Sequence, residues 1–593
     1  MHANRGSAFV FNLWFLVLMS SCTQSTSSPT PAPTFAPKTE PSYCSTATSY
    51  SGGVTVTATA TYQYRNVSVA GLGSVSTANI RYAEVQVLNQ SGSVVQCGTT
   101  DGSGSISVIV PSGAATYTLK VLSRADNNFL KASVLNSPSE NEPYSISEVF
   151  SVLSSDTSVS VSLDPAPYTN SLEGGAFNIL DQVYKSNEYL RNNSNSASWC
   201  SGVCTQFTVA PKVAIYWIPG FNPRSYTGSS TVGLSFYLSA DSYTYSMLKG
   251  IYILGGLYGD YNCQDTDHFD NSVIIHEYAH YLEDAYSKLD SPGGAHNGNA
   301  IIDPRLAWSE GWANFFQSAV LSSRFYRDTI GNSACSGGTA LAVNLDLETQ
   351  NIDIPAATPL GEGVFREISV SRMLWETIDN GTAGDGVNGG FSAVWKAFSD
   401  SSLGMASSNV RFRNVGKFNQ IITELFAIYD PSKSSDFASL LSSEKQYADQ
   451  TEYAEIRTAQ SSSSCQKTIT GSNNVSSPSG GTTSDLLRSN DFFSYYYNGT
   501  DNITLTLRYS AASGTPSDLD LYVYKEDHSL GSSSSLIAIS ANNYPEATPG
   551  QESVSLTGKA AGYYLVNVQV NVAQINNAAN YYIEFSPGVR LCL

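Results

Sequence analysis

The hydrophobic period of this chain changes twice along its length. Between residue 44 and about 165, apolar and polar residues alternate, as in Val54-Thr55-Val56-Thr57-Ala58-Thr59, Ala83-Glu84-Val85-Gln86-Val87-Leu88 and Ser105-Ile106-Ser107-Val108-Ile109-Val110. From 166 to about 458 the spacing becomes three and four, beginning with Ala176, Ile179, Leu180, Val183 and Leu190. From about 485 alternation returns, at 503–507, 519–524 and 563–568. A period of two turns one face of a pleated strand toward a core, and a period near 3.6 does the same for a helix; neither pattern suits the other geometry. The chain is therefore expected to be multidomain, with an α+β unit at 166–458 flanked by β-sandwiches at 43–165 and 485–593. Two stretches with little to bury, the Ser/Thr/Pro-rich 23–42 and the Ser/Gly-rich 459–484, read as linkers. Hydrophobic residues make up 41% of the 593, enough for several cores, which excludes wholesale disorder.

The formal charge is −19, from 31 Lys and Arg against 50 Asp and Glu. Phosphate backbones repel such a chain and no basic patch offsets this, so nucleic acid is not an expected partner. Arg5 leads into an apolar run at 8–19, the length of a signal-peptide core and too short to span a bilayer. The run ends in Leu18-Met19-Ser20-Ser21-Cys22, which resembles a bacterial lipobox and implies a signal peptide at 1–22 with lipidation of Cys22. An ordinary cleaved signal is the alternative. The expected location is export, as an outer-membrane or cell-surface lipoprotein or a secreted protein. There are nine cysteines, and without Cys22 an even eight remain, suited to disulfides in an oxidising compartment. Proximity favours Cys44–Cys97 and Cys465–Cys592, leaving Cys200, Cys204, Cys263 and Cys335 to pair within the central unit. Cys200 and Cys204 as the start of a zinc site is the alternative; no second such pair follows.

The chemistry concentrates in Val273-Ile274-Ile275-His276-Glu277-Tyr278-Ala279-His280-Tyr281-Leu282. On a helix His276 and His280 are one turn apart on one face, so both imidazoles reach a single Zn²⁺. Glu277, next to the first, is placed to act on a metal-bound water as general base. Asp270, Asn271 and Ser272 are good helix-capping types just before the run. With 6 His in the chain, an accidental match of this spacing is expected only ~0.002 times. A catalytic zinc needs a third protein ligand and an open position. The pattern that supplies a third histidine six residues after the second is absent, because Tyr286 stands there.

Downstream, Trp308-Ser309-Glu310-Gly311-Trp312-Ala313-Asn314-Phe315-Phe316 fits a second helix with Glu310 and Asn314 on one face. Together with the first motif this resembles the gluzincin branch of HExxH zinc metallopeptidases. The resemblance implies a zincin-like α+β metallopeptidase domain with Glu310 as third ligand, and Asn314 supporting a histidine ligand where related enzymes carry Asp. His296, in a Gly-rich loop, is the competing third ligand; with Tyr326 and Tyr429 it is also a candidate cleft residue for stabilising the oxyanion. Residues 265–270, 291–294 and 366–372 are similar to a group of bacterial secreted metallopeptidase-like proteins. Asp265, Asp267 and Asp270 are candidate Ca²⁺ ligands, against a reading as solvated loop acids. Gly250–Gly255 is either an edge strand for a peptide substrate or an ordinary core strand. The stretch from Arg81 to Gly113 resembles the carboxypeptidase regulatory-like sandwich. The segment Asp518-Leu519-Asp520-Leu521-Tyr522-Val523-Tyr524, followed by 552–556 and 561–570, resembles the bacterial pre-peptidase C-terminal domain. The expected function is a zinc peptidase acting on protein or peptide substrates, against a non-catalytic surface lipoprotein, adhesin or scaffold, with a vestigial metal site.

Overall fold

The computed structural model describes residues 36–592, apart from intervals of which the longest are 223–233, 257–263, 297–301, 332–339, 349–362, 380–386, 447–455, 471–489, 526–535, 543–549 and 571–577. The expected signal peptide, Cys22 and spacer residues 23–35 lie outside the described residues, as do Cys263, Cys335 and the side chain of Cys592. Among the described residues no helix is long and apolar enough to cross a membrane.

The N-terminal region follows its alternation. Val54–Thr59 buries Val54, Val56 and Ala58, and Ser105–Val110 buries Ile106, Val108 and Val110. These strands, with Ser158–Ser160, make a three-stranded sheet. Ser145–Val152, Ala115–Leu122, Glu84–Asn89 and Val94–Thr99 make a four-stranded one. The two sheets contribute to one core as a β-sandwich, and Cys44 is bonded to Cys97 as expected.

The boundary at 165 is not where this region ends as a packing unit. Arg124–Asp126 (β1) and Lys131–Leu135 (β2) belong to a five-stranded sheet of the central unit, with Val213–Tyr216 (β3), Phe236–Leu238 (β4) and Gly250–Tyr252 (β5), in the order β4-β5-β3-β2-β1. β3 runs parallel to both β2 and β5. Between β2 and β3 the chain makes α1 (Glu173–Asn193), whose apolar positions 176, 179, 180, 183 and 190 are all buried. Tyr62 and Arg81 of the sandwich both bond Asp181 on α1, at 3.0 and 2.6–2.8 Å. Val87, Val134, Phe177, Ile215, Ile275 and Trp312 lie in one continuous core. The last spacer residues also pack: Glu40 accepts from Ser133 at 2.6 Å and pairs with Lys212 at 2.9 Å.

β5 is an inner strand, so the edge-strand reading of Gly250–Gly255 fails; β4 forms that edge. Below the sheet come α2 (Asn271–Tyr286) and α3 (Pro304–Leu321), a hairpin of β6 (Phe325–Thr329) and β7 (Leu341–Asp346), then α4 (Glu367–Ile378), α5 (Phe391–Ser399), α6 (Val415–Tyr429) and α7 (Ser434–Ser443). Trp312 of α3 stacks on Phe398 of α5 with ring centres 3.9 Å apart. Cys200 and Cys204 form a disulfide, which removes them as zinc ligands.

The C-terminal region is a pair of sheets with a core of its own, built from residues such as Leu505, Leu507, Leu521, Val523, Val566, Val568 and Ile583. The linker expected at 459–484 is shorter than its composition implies. Ile456–Thr458 pairs in one sheet, while Gln460–Ser462 and Lys467–Thr470 pair in the other. Joining a sheet requires only backbone N–H and C=O groups, so a Ser/Thr/Gln segment with no apolar alternation still adds strands. Cys465 is disulfide-bonded. Phe492, Tyr524 and Leu565 reach out of this sandwich into the main core, with Phe492 5.8 Å from Phe365 between ring centres.

Candidate metal centre

α2 is apolar around most of its girth: Val273, Ile274, Ile275, Tyr278, Ala279 and Leu282 are buried, which drives the helix into the core and takes its two histidines with it. Asp270 stands at its N-cap but makes no cap bond. Its carboxylate instead accepts from the Thr329 backbone N–H at 2.7 Å and the Thr329 hydroxyl at 3.1 Å, fastening the start of α2 to β6. α3 has an orthodox start, with Pro304 first and Asp303 accepting from the Arg305 N–H at 2.9 Å. The two helices are joined by a bond of 3.2 Å from Trp312 Nε1 to the Ala279 carbonyl. Gly311 lets α4 approach α3 closely, since a Cβ there would overlap Val370.

These contacts bring His276, His280 and Glu310 together, each with one donor atom within 4.8 Å of the others. The two Nε2 atoms are 3.1 Å apart, and Glu310 Oε2 lies 3.2 Å from that of His276 and 3.5 Å from that of His280. All three residues are buried, as is Glu277. Burial pushes the Glu277 carboxyl above its ordinary value, against the pull of the two imidazoles. Burial also opposes charge on Glu310, but His296 and His280 outweigh it and hold that carboxylate well below its usual range. Burial lowers His280, yet Glu310 overrides it and raises the ring to about 9.

His296 stands on the other side of Glu310, its Nε2 3.5 Å from Oε1, and its Nδ1 is 2.7 Å from Glu367 of α4. It borders the triad and is not one of the three converging donors. Burial lowers His296, but Glu310 and Glu367 prevail and lift it to about 10. Of the residues weighed for the oxyanion, Tyr326 meets the edge of the His276 ring at 5.5 Å between centres, while Tyr429 ends α6, partly buried against the main core.

The sequence reading assigned support of a histidine to Asn314. Among the described residues that contact belongs to Ser309, whose Oγ is 3.1 Å from His280 Nδ1 and donates to Glu283 Oε2 at 2.6 Å. Asn314 is buried on α3, and its backbone carbonyl accepts from Gln317. Burial raises Glu283 to about 8, against the Ser309 bond. Ser309 directly precedes Glu310, and Glu283 is one turn past His280; these adjacencies are the signal that was available.

The solvated-acid reading of residues 265–270 fails: Asp267 is 3% exposed and Asp270 0%. Asp270 is taken up by Thr329, and it is Asp328 of β6 that converges with Asp265 and Asp267, again within 4.8 Å. Burial raises Asp265 to about 7, against a hydrogen bond to Asp267, and pushes Asp267 and Asp328 well above the usual carboxylate range, with neighbouring carboxylates adding to the effect on those two.

No family model matches the chain. A protein of Archaeoglobus fulgidus, described as uncharacterized, is 28% identical over 125 residues, which are 20% of this chain and 31% of that protein, so the chain spans about a third of that relative. Among solved structures, the pre-peptidase C-terminal domain of collagenase from Bacillus anthracis is similar over 22% of this chain and 92% of its own, at 8% identity and a TM-score of 0.14. A periplasmic inhibitor of g-type lysozyme from Aeromonas hydrophila is similar over 22% and 99%, at 16% identity and a TM-score of 0.12. Similarity at this level fixes neither fold nor function.

Proposed function

We propose that this chain is an exported zinc-dependent peptidase with a zincin-like central unit of gluzincin type, in which His276, His280 and Glu310 hold the metal and Glu277 is the general base. The observation that carries the reading is the convergence of two imidazole nitrogens and one carboxylate oxygen beside a buried fourth side chain able to move a proton. Donors ~2.0–2.1 Å from a tetrahedral Zn²⁺ stand ~3.3–3.4 Å apart, and the spacings of 3.1, 3.2 and 3.5 Å bracket that value. Because Ser309 donates its only proton to Glu283, its oxygen can only accept from His280 Nδ1–H, which turns Nε2 toward the triad. When bound, Zn²⁺ supplies Lewis acidity, lowering the pKa of a coordinated water and polarising a peptide carbonyl. Glu277 takes the proton of the attacking water and passes it to the leaving amine. The disulfides at Cys44–Cys97 and Cys200–Cys204, with the disulfide-bonded Cys465, agree with an oxidising compartment, and lipidation at Cys22 remains the proposed anchor.

The test is zinc content and peptide-library cleavage by the full chain and three variants. Glu277→Gln should keep about one zinc per chain while hydrolysis falls ~10²–10⁴-fold. Glu310→Ala should lose zinc, and His296→Ala should retain it. Zinc lost from His296→Ala but kept in Glu310→Ala would move the third ligand and sink the gluzincin assignment. Zinc retained by a wild type that cleaves no peptide would leave the non-catalytic surface lipoprotein.

A further inference from the structure

We infer that Asp265, Asp267 and Asp328 form a second cation site, an oxygen-only one of the Ca²⁺ class, that clips β6 to the loop entering α2. Asp265 and Asp267 lie in that loop and Asp328 on β6, yet their carboxylates converge within 4.8 Å. A group of acids on its own says little, because acids on a surface are solvated. These are not. Asp267 is 3% exposed, and the Oδ1 atoms of Asp265, Asp267 and Asp328 are all buried without a hydrogen-bond partner. The hydroxyl of Thr266, between the two loop aspartates in sequence, is likewise buried and unpartnered. The partner that does appear is weak in charge: Ser235 donates to the other oxygen of Asp267. Among the described residues no Lys or Arg pairs with any of the three.

Buried carboxylates without a counter-charge cost several kcal/mol each unless they are protonated or coordinate a metal. The donors are all hard oxygens, and no nitrogen or sulfur is among them, which selects an alkaline-earth ion over zinc. The position gives the ion a task. Asp328 and Tyr326 are two apart on β6 and so share a face, and Thr329 next to them already holds Asp270 at the start of α2. A cation at 265/267/328 closes the second half of that clasp and sets Tyr326 against His276. This inference does not rest on the zinc reading.

The experiment uses the full chain in the His276→Ala background as well as wild type, so that zinc at the triad does not contribute. The probes are CaCl₂ followed by thermal melting, and Tb³⁺ followed by luminescence sensitised through aromatic side chains. After chelation, both proteins should bind one Ca²⁺ at this site with a rise in Tm of roughly 5 °C at saturation, and Ca²⁺ should displace Tb³⁺. Asp328→Asn and Asp267→Asn, each isosteric, should be at least as stable as wild type in chelator and lose the response to Ca²⁺. No Tb³⁺ signal and no Ca²⁺-dependent rise in wild type would overturn the site. So would a response undiminished in both Asn variants, which would place the ion elsewhere. A rise in Tm for Asp328→Asn of equal size with and without Ca²⁺ would show carboxyls that share protons and hold no cation.

Discussion

The two β-rich regions flanking the helices are joined to them in different ways. The N-terminal one has no core to itself: Val54 and Trp312 lie in the same apolar cluster, and its strands β1 and β2 complete the central sheet. The C-terminal one encloses its own core and, among the described residues, meets the main one through Phe492, Tyr524 and Leu565, with Tyr522 and Leu536 beside them. Both look like accessory sandwiches when read for alternation, yet one is part of the site's foundation and the other is a docked neighbour. What separates them is where a strand finds its partner, and alternation does not encode that.

The strongest way to break this comparison is truncation. Removing everything before residue 166 strips β1 and β2 from the central sheet and should leave a chain that neither folds nor retains zinc, whereas ending the chain at 458 should leave a folded, metal-binding protein. Circular dichroism and metal analysis of the two truncations decide it; a cooperatively folded 166–593 protein would refute the shared-core view.

Next in size is Glu84→Gln. Glu84 is fully buried in the N-terminal sheet and pairs with Arg124 of β1, itself 1% exposed. Arg124 also donates to the Ser42 carbonyl at 2.9 Å. Neutralising Glu84 leaves Arg124 with Glu40, 3.4 Å away, as its remaining carboxylate, and should cost about 3 kcal/mol. In calorimetry this should lower the transition of the main core and leave that of the C-terminal sandwich in place; equal movement of both would mean a single cooperative unit. Phe492→Ala probes the opposite seam. It should destabilise the C-terminal transition by ~3 kcal/mol and move the main one less, and a main transition that falls further would invert the assignment.

A pH dependence of the C-terminal sandwich comes from Asp520. Burial, with Asp518 and Glu552 nearby, raises Asp520 to about 7. The unfolded chain ionises this group near 3.9, so between about pH 4 and 7 the folded state holds the extra proton. Stability then falls as pH rises through that window. In chelator, the C-terminal melting temperature should decline from pH 4 to 7 in wild type and less so in Asp520→Asn. Parallel slopes in the two proteins would remove Asp520 as the cause.

The parts of the site set by local spacing were legible in advance. His276 and His280 share a helical face because four residues separate them, and apolar neighbours on nearly every other side predict the burial of α2. Glu310 was legible through resemblance as much as spacing. The parts that depend on which surfaces meet were not. Lys131–Leu135 has the same pattern whether it closes a sandwich or extends a mixed sheet, and Gln460–Ser462 carries no apolar pattern at all. Ser309 was passed over for Asn314 because helix periodicity tells which face a residue occupies, and not which ring nitrogen its oxygen reaches. Asp328 joined Asp265 and Asp267 from far along the chain, and Asp270 left them for Thr329.

The placement of β2 also bears on how the protein comes into being. As the chain emerges from a ribosome or an export channel, residues up to 165 appear first, with Lys131–Leu135 still lacking its parallel partner Val213–Tyr216, which follows only after roughly eighty further residues, a long wait for a non-local pairing. During that interval an apolar strand edge with Val134 and Leu135 is open to any other chain that can pair with it. Slow delivery of α1 and β3 lengthens the exposure, and a holding chaperone shortens its consequences. The yield of folded protein should thus depend on the pace of synthesis across residues 136–216 more than on the final stability of either sandwich.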